Sequence, residues 1–338
     1  MSKEFDRFYV ALGLPIKEDG YTIDYDNYRE VVRYFATDDF FDFGGSFIVN
    51  AEAGELFTLT RKEKSRLSNI VAEEVNGRAP FFCGACNSNP HDMQDELRDA
   101  IKDGAAGIFV MPSIGSIDVT HAWNVRAFPQ AYGNVCRNVI DTLGEVPMIC
   151  HGSGPKDPYY GVSFPIEVID YLLDNYPSIV GWKMMYNFKP LKEVCGHLRQ
   201  READGKGHVA LLQASAHMFY EDFFYDFLDG TVSCFWNYAK EKTMALITNL
   251  KQGNYEEAKK IWLDGKLFNL HNLVGNNRLH TNFKVACWMK GLYKTPFARA
   301  PMVNATKKEL LVFRDAMIAT GDYVLSDEEF TKVYNQMD

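Results

Sequence analysis

Short apolar runs that recur between longer amphipathic segments constrain the fold of this chain more than any other feature. The runs have the length of β-strands and occupy residues 8–15, 41–51, 79–86, 106–112, 146–152, 179–185, 208–214 and 231–237. Segments with helical periodicity, such as residues 23–37 and 164–176, separate most of them. Alternating strands and helices predict right-handed βαβ units with a parallel sheet. Eight such units favour closure, so we predict an α/β fold of the (β/α)8 TIM barrel type.

The last third of the chain has a different pattern, because it turns helical after residue 237. The roughly 100 residues that follow exceed what one closing helix needs. We therefore predict a barrel over residues 1–240 and a C-terminal helical region over residues 241–338 that packs on it. Helix starts are marked by Thr60-x-x-Glu63 and Ser326-x-x-Glu329, which read as capping boxes, and by Asn89 before Pro90.

Composition narrows the class of partner and the compartment. The chain has 338 residues, of which 46% are hydrophobic and 24% charged, as is ordinary for a folded protein. A net charge of −9, without basic clusters among aromatics, argues against a nucleic-acid partner. No apolar run approaches the roughly 18 residues of a membrane span, and the charged amino terminus differs from a secretory signal. Cysteines inside apolar runs, such as Cys150 and Cys234, are typical of reduced thiols, so we expect a cytoplasmic protein.

One lysine stands in an apolar run where an ammonium group is costly to bury unpaired. Residues 179–185 read IVGWKMM, which places Lys183 at the carboxyl end of the sixth predicted strand. Burial disfavours the charged form of a lysine, and a neutral amine can form a Schiff base with a carbonyl substrate. The resulting iminium would draw electrons from an adjacent bond and permit C–C cleavage, C–C formation or dehydration. Alternatively, its stem packs against Trp182 or Met185 while its head reaches solvent. A second lysine, Lys284, lies in a helical pattern, and we expect it to be exposed.

Several motifs along almost the whole chain resemble the dihydrodipicolinate synthase / N-acetylneuraminate lyase family. The segment GYTIDYDNYREVVRY resembles the first helix of that family, and Gly54, Glu55, Leu59 and Glu63 match its G-E-x-x-x-L-x-x-x-E pattern. IVGWKMM resembles the Schiff-base strand I-x-G-x-K, GTVSCFWN the eighth strand, and ARAPMVNAT the late R-x-P segment. The resemblance implies a class I aldolase-type lyase whose imine forms on Lys183. It also implies a small carbonyl substrate, no cofactor or metal, and a homotetramer or homodimer.

Departures from the family pattern fall on residues that would contact the substrate. Family members that use pyruvate hold its carboxylate with two small hydroxyl residues before Gly-Glu, where this chain has Glu52 and Ala53. Ala53 lacks a hydroxyl, and an ionised Glu52 would repel a carboxylate. His151 stands where the family has a tyrosine proton shuttle, and Ser113 replaces one of two tyrosines after the fourth strand. Because an imidazole titrates near neutrality, His151 is a candidate proton shuttle, with a structural histidine as the alternative.

These observations define a set of candidate site residues, for most of which a structural role remains open. The catalytic candidates are Lys183 and His151. Candidates for substrate binding are Glu52, Ala53, Ser113, Lys156, Tyr159, Tyr160 and Trp236. Gly54 and Glu55 are expected to brace the rim. The alternatives are a solvated lysine for Lys156, loop packing for Tyr159 and Tyr160, a salt bridge for Glu52 and core packing for Trp236.

Three functions compete at this point. The first is a Schiff-base lyase that acts on a 2-oxo acid or a related carbonyl compound. The second is a metal-dependent barrel enzyme with Glu52, His151 and His217 as ligands, although no short ligand spacing supports it. The third is a non-catalytic or regulatory ligand-binding barrel that has lost turnover, suggested by the missing hydroxyl pair and tyrosine.

Overall fold

Eight parallel strands close into a barrel in the computed structural model, which describes residues 3–112, 117–118, 121–276 and 278–337. Numbered along the chain, they are β1 Phe8–Ala11, β2 Gly45–Val49, β3 Phe82–Ala85, β4 Gly107–Val110, β5 Met148–Cys150, β6 Ile179–Met184, β7 Ala210–Gln213 and β8 Gly230–Ser233. Each pairs in parallel with its chain neighbours, and β8 closes on β1. The structure therefore confirms the predicted TIM barrel and a strand in each apolar run.

The helices follow the strands in the predicted alternation. Those before the C-terminal region are α1 Tyr25–Phe35, α2 Asp38–Asp42, α3 Arg61–Val75, α4 Pro90–Lys102, α5 Gln130–Leu143, α6 Ile166–Asn175, α7 Phe188–Ala203 and α8 Phe219–Phe224. After β8 come α9 Trp236–Lys251, α10 Tyr255–Lys259, α11 Leu267–Gly275, α12 Leu279–Met289, α13 Lys307–Thr320 and α14 Asp327–Tyr334. No helix within the described ranges is long and apolar enough to cross a membrane.

Local capping chemistry fixes several helix starts. Thr60 and Glu63 form a reciprocal capping box at α3, and Ser326 and Glu329 form another at α14. The Asn89 side chain accepts hydrogen bonds from two backbone N–H groups of the first turn of α4, where Pro90 occupies the first helical position. The structure confirms these helix starts. They could be predicted from the sequence because each depends on residues at most three positions apart.

The C-terminal helices contribute to the carboxyl end of the barrel. The predicted division at residue 240 follows Ala239, where the backbone of α9 departs from helical geometry. Beyond it, α11 ends in Gly275 and α12 begins at Leu279 and His280, and these residues line the cavity described below. The C-terminal region therefore supplies part of the candidate site.

The expectation that Lys284 is exposed is wrong. Its side chain is 1% exposed and forms an ion pair and hydrogen bond with Glu55, whose side chain is equally buried. The backbone N–H of Arg299 also donates to Glu55 Oε2, at 3.3 Å. Helical periodicity could not reveal this contact, because the partner residue lies in the loop after β2.

Candidate active site

A cavity of about 300 Å³ opens at the carboxyl ends of the barrel strands, where a TIM barrel carries its active site. Most of its lining is apolar, including Ala53, Val232, Phe235 and Leu279. The polar or titratable side chains in the described lining are Glu52, Lys183, Ser215, His217, Ser233, Cys234 and His280. An apolar pocket with a few convergent polar groups is the usual form of a small-molecule site.

Lys183 reaches this cavity from β6. Its side chain is 12% exposed, and Nζ lies 3.7 Å from Glu52 Oε2. Nζ also lies 5.7 Å from the ring centroid of Phe109, a distance at which a cation and an aromatic face attract each other. The lysine of the sixth apolar run is therefore a largely buried amine that a molecule in the cavity can still reach.

A strained turn after β2 directs Glu52 toward Lys183. Asn50 has a φ of 52°, and its side-chain amide donates to the Lys64 carbonyl at 3.1 Å. The turn packs closely on β3 at Gly84, where a Cβ atom would lie only 2.0 Å from the Asn50 carbonyl oxygen. The Glu52 side chain remains 36% exposed at the cavity.

The electrostatic surroundings keep the Glu52 carboxylate ionised at neutral pH. Burial raises the pKa of Glu52, but interactions with His151, Lys183 and His280 lower it by a larger amount, so that the net pKa is below the ordinary value. At neutral pH the charged partner among these is Lys183, because both imidazoles are then neutral. When Lys183 is protonated, the adjacent carboxylate can accept a proton from its ammonium group. The site therefore pairs a potential nucleophile with a base.

His151 lies behind Glu52 at the carboxyl end of β5. Its Nε2 atom is 3.7 Å from Glu52 Oε2 and 3.0 Å from Met185 Sδ, and its ring stacks on Phe109. Burial, and next the positive charge of Lys183, lower the pKa of His151 to about 3. The imidazole is therefore neutral at pH 7, unlike the near-neutral titration expected from the sequence.

Some predicted residues lie away from the cavity. Lys156 and Tyr159 are exposed on the antiparallel hairpin of Ser153–Asp157 and Gly161–Ser163, and Tyr160 packs beside Tyr186. The hairpin instead contributes Val162 to the cavity lining. Ser113 lies outside the described residues.

Trp236 belongs to the core rather than to the cavity wall. Its indole is fully buried, packs against Phe8, Phe40 and Phe43, and donates a hydrogen bond to Thr231 Oγ1 at 2.8 Å. Trp236 therefore has the core-packing role that was the alternative to substrate binding, because α9 turns its ring away from the strand ends.

Two rim residues predicted to be structural occupy close-packed positions. A Cβ atom on Gly54 would lie 3.1 Å from the Leu12 carbonyl oxygen, and Glu55 makes the buried contact with Lys284 described above. Glu55 itself has a φ of 55°. These contacts tie the loop after β2 to β1 and α12, and so set the position of Glu52.

His280 is a cavity residue that no sequence pattern marked. It lies at the start of α12, and burial lowers its pKa. His217, a weaker candidate from the sequence, also lines the cavity, and burial lowers its pKa too. Only closure of the C-terminal region over the barrel brings His280 near Glu52, more than 200 residues earlier in the chain.

The ligand set of the metal hypothesis is not assembled among the described residues. The group there that could hold a metal ion is Asp6, His208 and Asp229, at the amino-terminal end of the barrel. His208 Nε2 lies 2.6 Å from Asp6 Oδ1, and His208 Nδ1 lies 3.0 Å from Glu202 Oε1. Burial lowers the pKa of His208, but these carboxylates raise it to a net value above the ordinary one. The group is an ion-pair network far from Lys183.

The fold places this protein in the class of closed (β/α)8 barrels that carry a lysine at the carboxyl end of β6. The dihydrodipicolinate synthetase family model matches residues 137–319, more than half of the chain. The chain belongs to this family, and the resemblance seen in its motifs is confirmed.

Individual relatives are distant. The chain is 26% identical over 303 residues to the 4-hydroxy-tetrahydrodipicolinate synthase of Chlorobaculum parvum, an alignment that covers 88% of this chain and 92% of the relative. The dihydrodipicolinate synthase of Aquifex aeolicus superposes with a TM-score of 0.73 at 18% identity, over 95% of this chain and 99% of that one. The N-acetylneuraminate lyase of Fusobacterium nucleatum gives 0.69 at 19% identity, over 92% and 97%. The superpositions establish a shared fold.

Proposed function

We propose that this protein is a Schiff-base-forming lyase, of the aldolase or hydro-lyase type, that acts on a 2-oxo acid or a related small carbonyl compound. The observation that carries the proposal is the Lys183 amine, which lines an apolar cavity with the Glu52 carboxylate 3.7 Å away. Membership of a family whose relatives include synthases and a lyase supports the same chemistry.

Glu52 and Lys183 together can complete imine formation. The Lys183 ammonium gives a proton to the Glu52 carboxylate, and the free amine adds to the substrate carbonyl to form a carbinolamine. The Glu52 carboxylic acid returns its proton to the carbinolamine hydroxyl, which leaves as water. The products are an iminium on Lys183, one water molecule and the regenerated Glu52 carboxylate, so atoms and charges balance.

The iminium then serves as the electron sink. Electrons from a C–C or C–H bond on the adjacent carbon flow toward the nitrogen and leave a neutral enamine, whose protonation restores the iminium. His151 is the second proton-transfer group that we propose, since its Nε2 atom lies 3.7 Å from Glu52 Oε2. Its low pKa means that it starts each cycle neutral and releases readily any proton that it accepts.

Borohydride trapping tests this function. The protein is treated with borohydride and pyruvate, longer 2-oxo acids or aldehydes, and the modified peptide is mapped by mass spectrometry. We expect a borohydride-reduced adduct on Lys183 with at least one compound. Lys183→Ala should form no adduct at that position. Lys156→Ala, which removes an exposed lysine, should keep the Lys183 adduct unchanged. No Lys183 adduct across the panel would refute the proposal.

A ligand-binding barrel without turnover is the second candidate, because Ala53 lacks a hydroxyl and His151 is a weak base. Thermal stabilisation by a ligand that persists in Lys183→Ala, without turnover of that ligand, would favour it. We also propose a cytoplasmic homo-oligomer, a tetramer or dimer, which sedimentation of the purified protein would test.

A further inference from the structure

The charges that line the cavity balance before any substrate enters. Among the described lining residues, Lys183 is the sole Lys or Arg side chain and Glu52 the sole Asp or Glu side chain. Burial lowers the pKa values of His217 and His280, which are therefore neutral at pH 7. Lys284 lies close by, but Glu55 already neutralises it. No further cation in this lining is available to an incoming anion.

Imine chemistry fixes where a substrate carboxylate would lie. The substrate carbonyl carbon bonds to Lys183 Nζ, so a carboxylate on that carbon begins two bonds from Nζ. The oxygens of that carboxylate, like Glu52 Oε2, would then lie within a few ångström of the nitrogen. The single positive charge of the iminium would then face two carboxylates within a mostly apolar cavity, where like charges repel strongly.

The hydroxyl groups of the lining offer little compensation. The Ser233 hydroxyl already donates to the Ala214 carbonyl at 2.8 Å, which leaves Ser215 as the hydroxyl donor in the described lining. The other neutral donors in the described lining are the Cys234 thiol and the rings of His217 and His280, and neutral donors do not supply the positive charge that an additional carboxylate would need in such a site. Ala53, next to Glu52, has no donor on its side chain. In place of a carboxylate, the cavity walls suit a hydrogen, an alkyl or aryl group, or a neutral amide as the substituent on the carbonyl carbon.

From this geometry we infer that Glu52 determines specificity, and that it restricts Lys183 to aldehydes and ketones without an ionised carboxylate on the carbonyl carbon. The inference rests on the proposed Schiff-base function, and it narrows the substrate class from 2-oxo acids and related carbonyl compounds to those carbonyl compounds that lack this carboxylate. Glu52 thus serves the Lys183 amine as its base and rejects 2-oxo acids by its charge.

Pyruvate and pyruvamide test the inference, because they are nearly isosteric and differ by one negative charge. Each is trapped separately with borohydride on the intact protein, and the exposed Lys156 in the same digest reports the intrinsic reactivity of each compound. Relative to Lys156, we expect Lys183 to favour pyruvamide over pyruvate by about tenfold or more. The ratio of adducts cancels any general slowing in a variant.

Three variants assign the preference to one charge. Glu52→Gln should reduce the preference for pyruvamide to less than about threefold, and Glu52→Thr, which supplies a hydroxyl, should reduce it at least as far. Glu221→Gln is the matched control, since it removes an exposed carboxylate near His217 outside the lining, and it should keep the wild-type ratio.

The outcomes separate the two proposals. Equal labelling by both compounds in the wild type, or a preference that survives both Glu52 variants, would overturn the inference while leaving the Schiff base intact. Labelling of Lys156 without any labelling of Lys183 by either compound would overturn the proposed function and the inference with it.

Discussion

Glu52 and Glu55 lie in one loop, yet each meets a lysine in a different way. The Lys183–Glu52 pair is open, with 3.7 Å between Nζ and Oε2 and side-chain exposures of 12% and 36%. The Lys284–Glu55 pair is closed, hydrogen-bonded and 1% exposed at both side chains. The first pair lines a cavity, whereas the second joins the loop after β2 to α12.

The contrast shows that burial alone does not identify a lysine that a substrate can reach. A closed ion pair satisfies both charges and excludes any other partner, so Lys284 has no room for a carbonyl compound. The open pair leaves the amine accessible and places a carboxylate beside it. Lys284 is the more deeply buried of the two, and the less buried Lys183 is the one suited to chemistry.

Lys183→Met provides the largest expected effect on function. We expect complete loss of the adduct at position 183 and of turnover, because no other lysine lines the described cavity. The free energy of unfolding should change by less than about 1 kcal/mol, since Glu52 stays in contact with solvent. Mass spectrometry and urea unfolding measure the two effects. Turnover that persists would contradict the comparison.

Lys284→Met should affect stability rather than chemistry. It leaves the Glu55 carboxylate buried without a partner, and breaking a buried pair in this way typically costs about 3–5 kcal/mol. Urea unfolding measures the loss. The double variant Lys284→Met/Glu55→Leu should recover part of it, because no unpaired charge remains. A loss of less than about 1 kcal/mol would show that the closed pair is not what stabilises this junction.

Acidification sharpens the comparison, because the open site contains a buried neutral histidine. His151 has a folded-state pKa of about 3, below the value of about 6.5 in the unfolded chain. The unfolded state therefore binds more protons between these values, and the free energy of unfolding falls as the pH drops from 6.5 toward 3. For this group the loss is about 2 kcal/mol at pH 5.

Urea unfolding of His151→Gln at pH 7 and pH 5 measures this contribution. The variant should lose less stability between the two pH values than the wild type does, because glutamine does not titrate. The exposed His91→Gln is the control and should keep the wild-type difference. Equal pH dependence in wild type and His151→Gln would show that this histidine does not carry the effect.

Lys156→Ala should have the smallest effect. Its side chain is exposed on the hairpin after β5 and does not line the cavity. We expect less than a roughly twofold change in Lys183 adduct and less than about 0.5 kcal/mol in stability. A larger loss of adduct would place the hairpin lysine in substrate binding, as the sequence-based prediction for Lys156 held.

The sequence by itself determined the eight strands, several helix starts and the position of Lys183. Strand burial and capping boxes are local, since they depend on residues within one short segment. IVGWKMM shows an apolar strand with one lysine at its carboxyl end, and the barrel topology then places that lysine on the rim.

Only the tertiary structure decided which charges meet. Glu55 and Lys284 are 229 residues apart, and His280 nears Glu52 only because α12 closes over the barrel. The sequence pattern likewise could not decide whether Trp236 packs in the core or lines the cavity, and it did not mark Val162 as a cavity residue. The strength of a charge interaction depends on distance and on the solvent excluded around it, and both are properties of the folded chain. The sequence thus identified the lysine, and the fold determined the carboxylate beside it and the open cavity that both residues line.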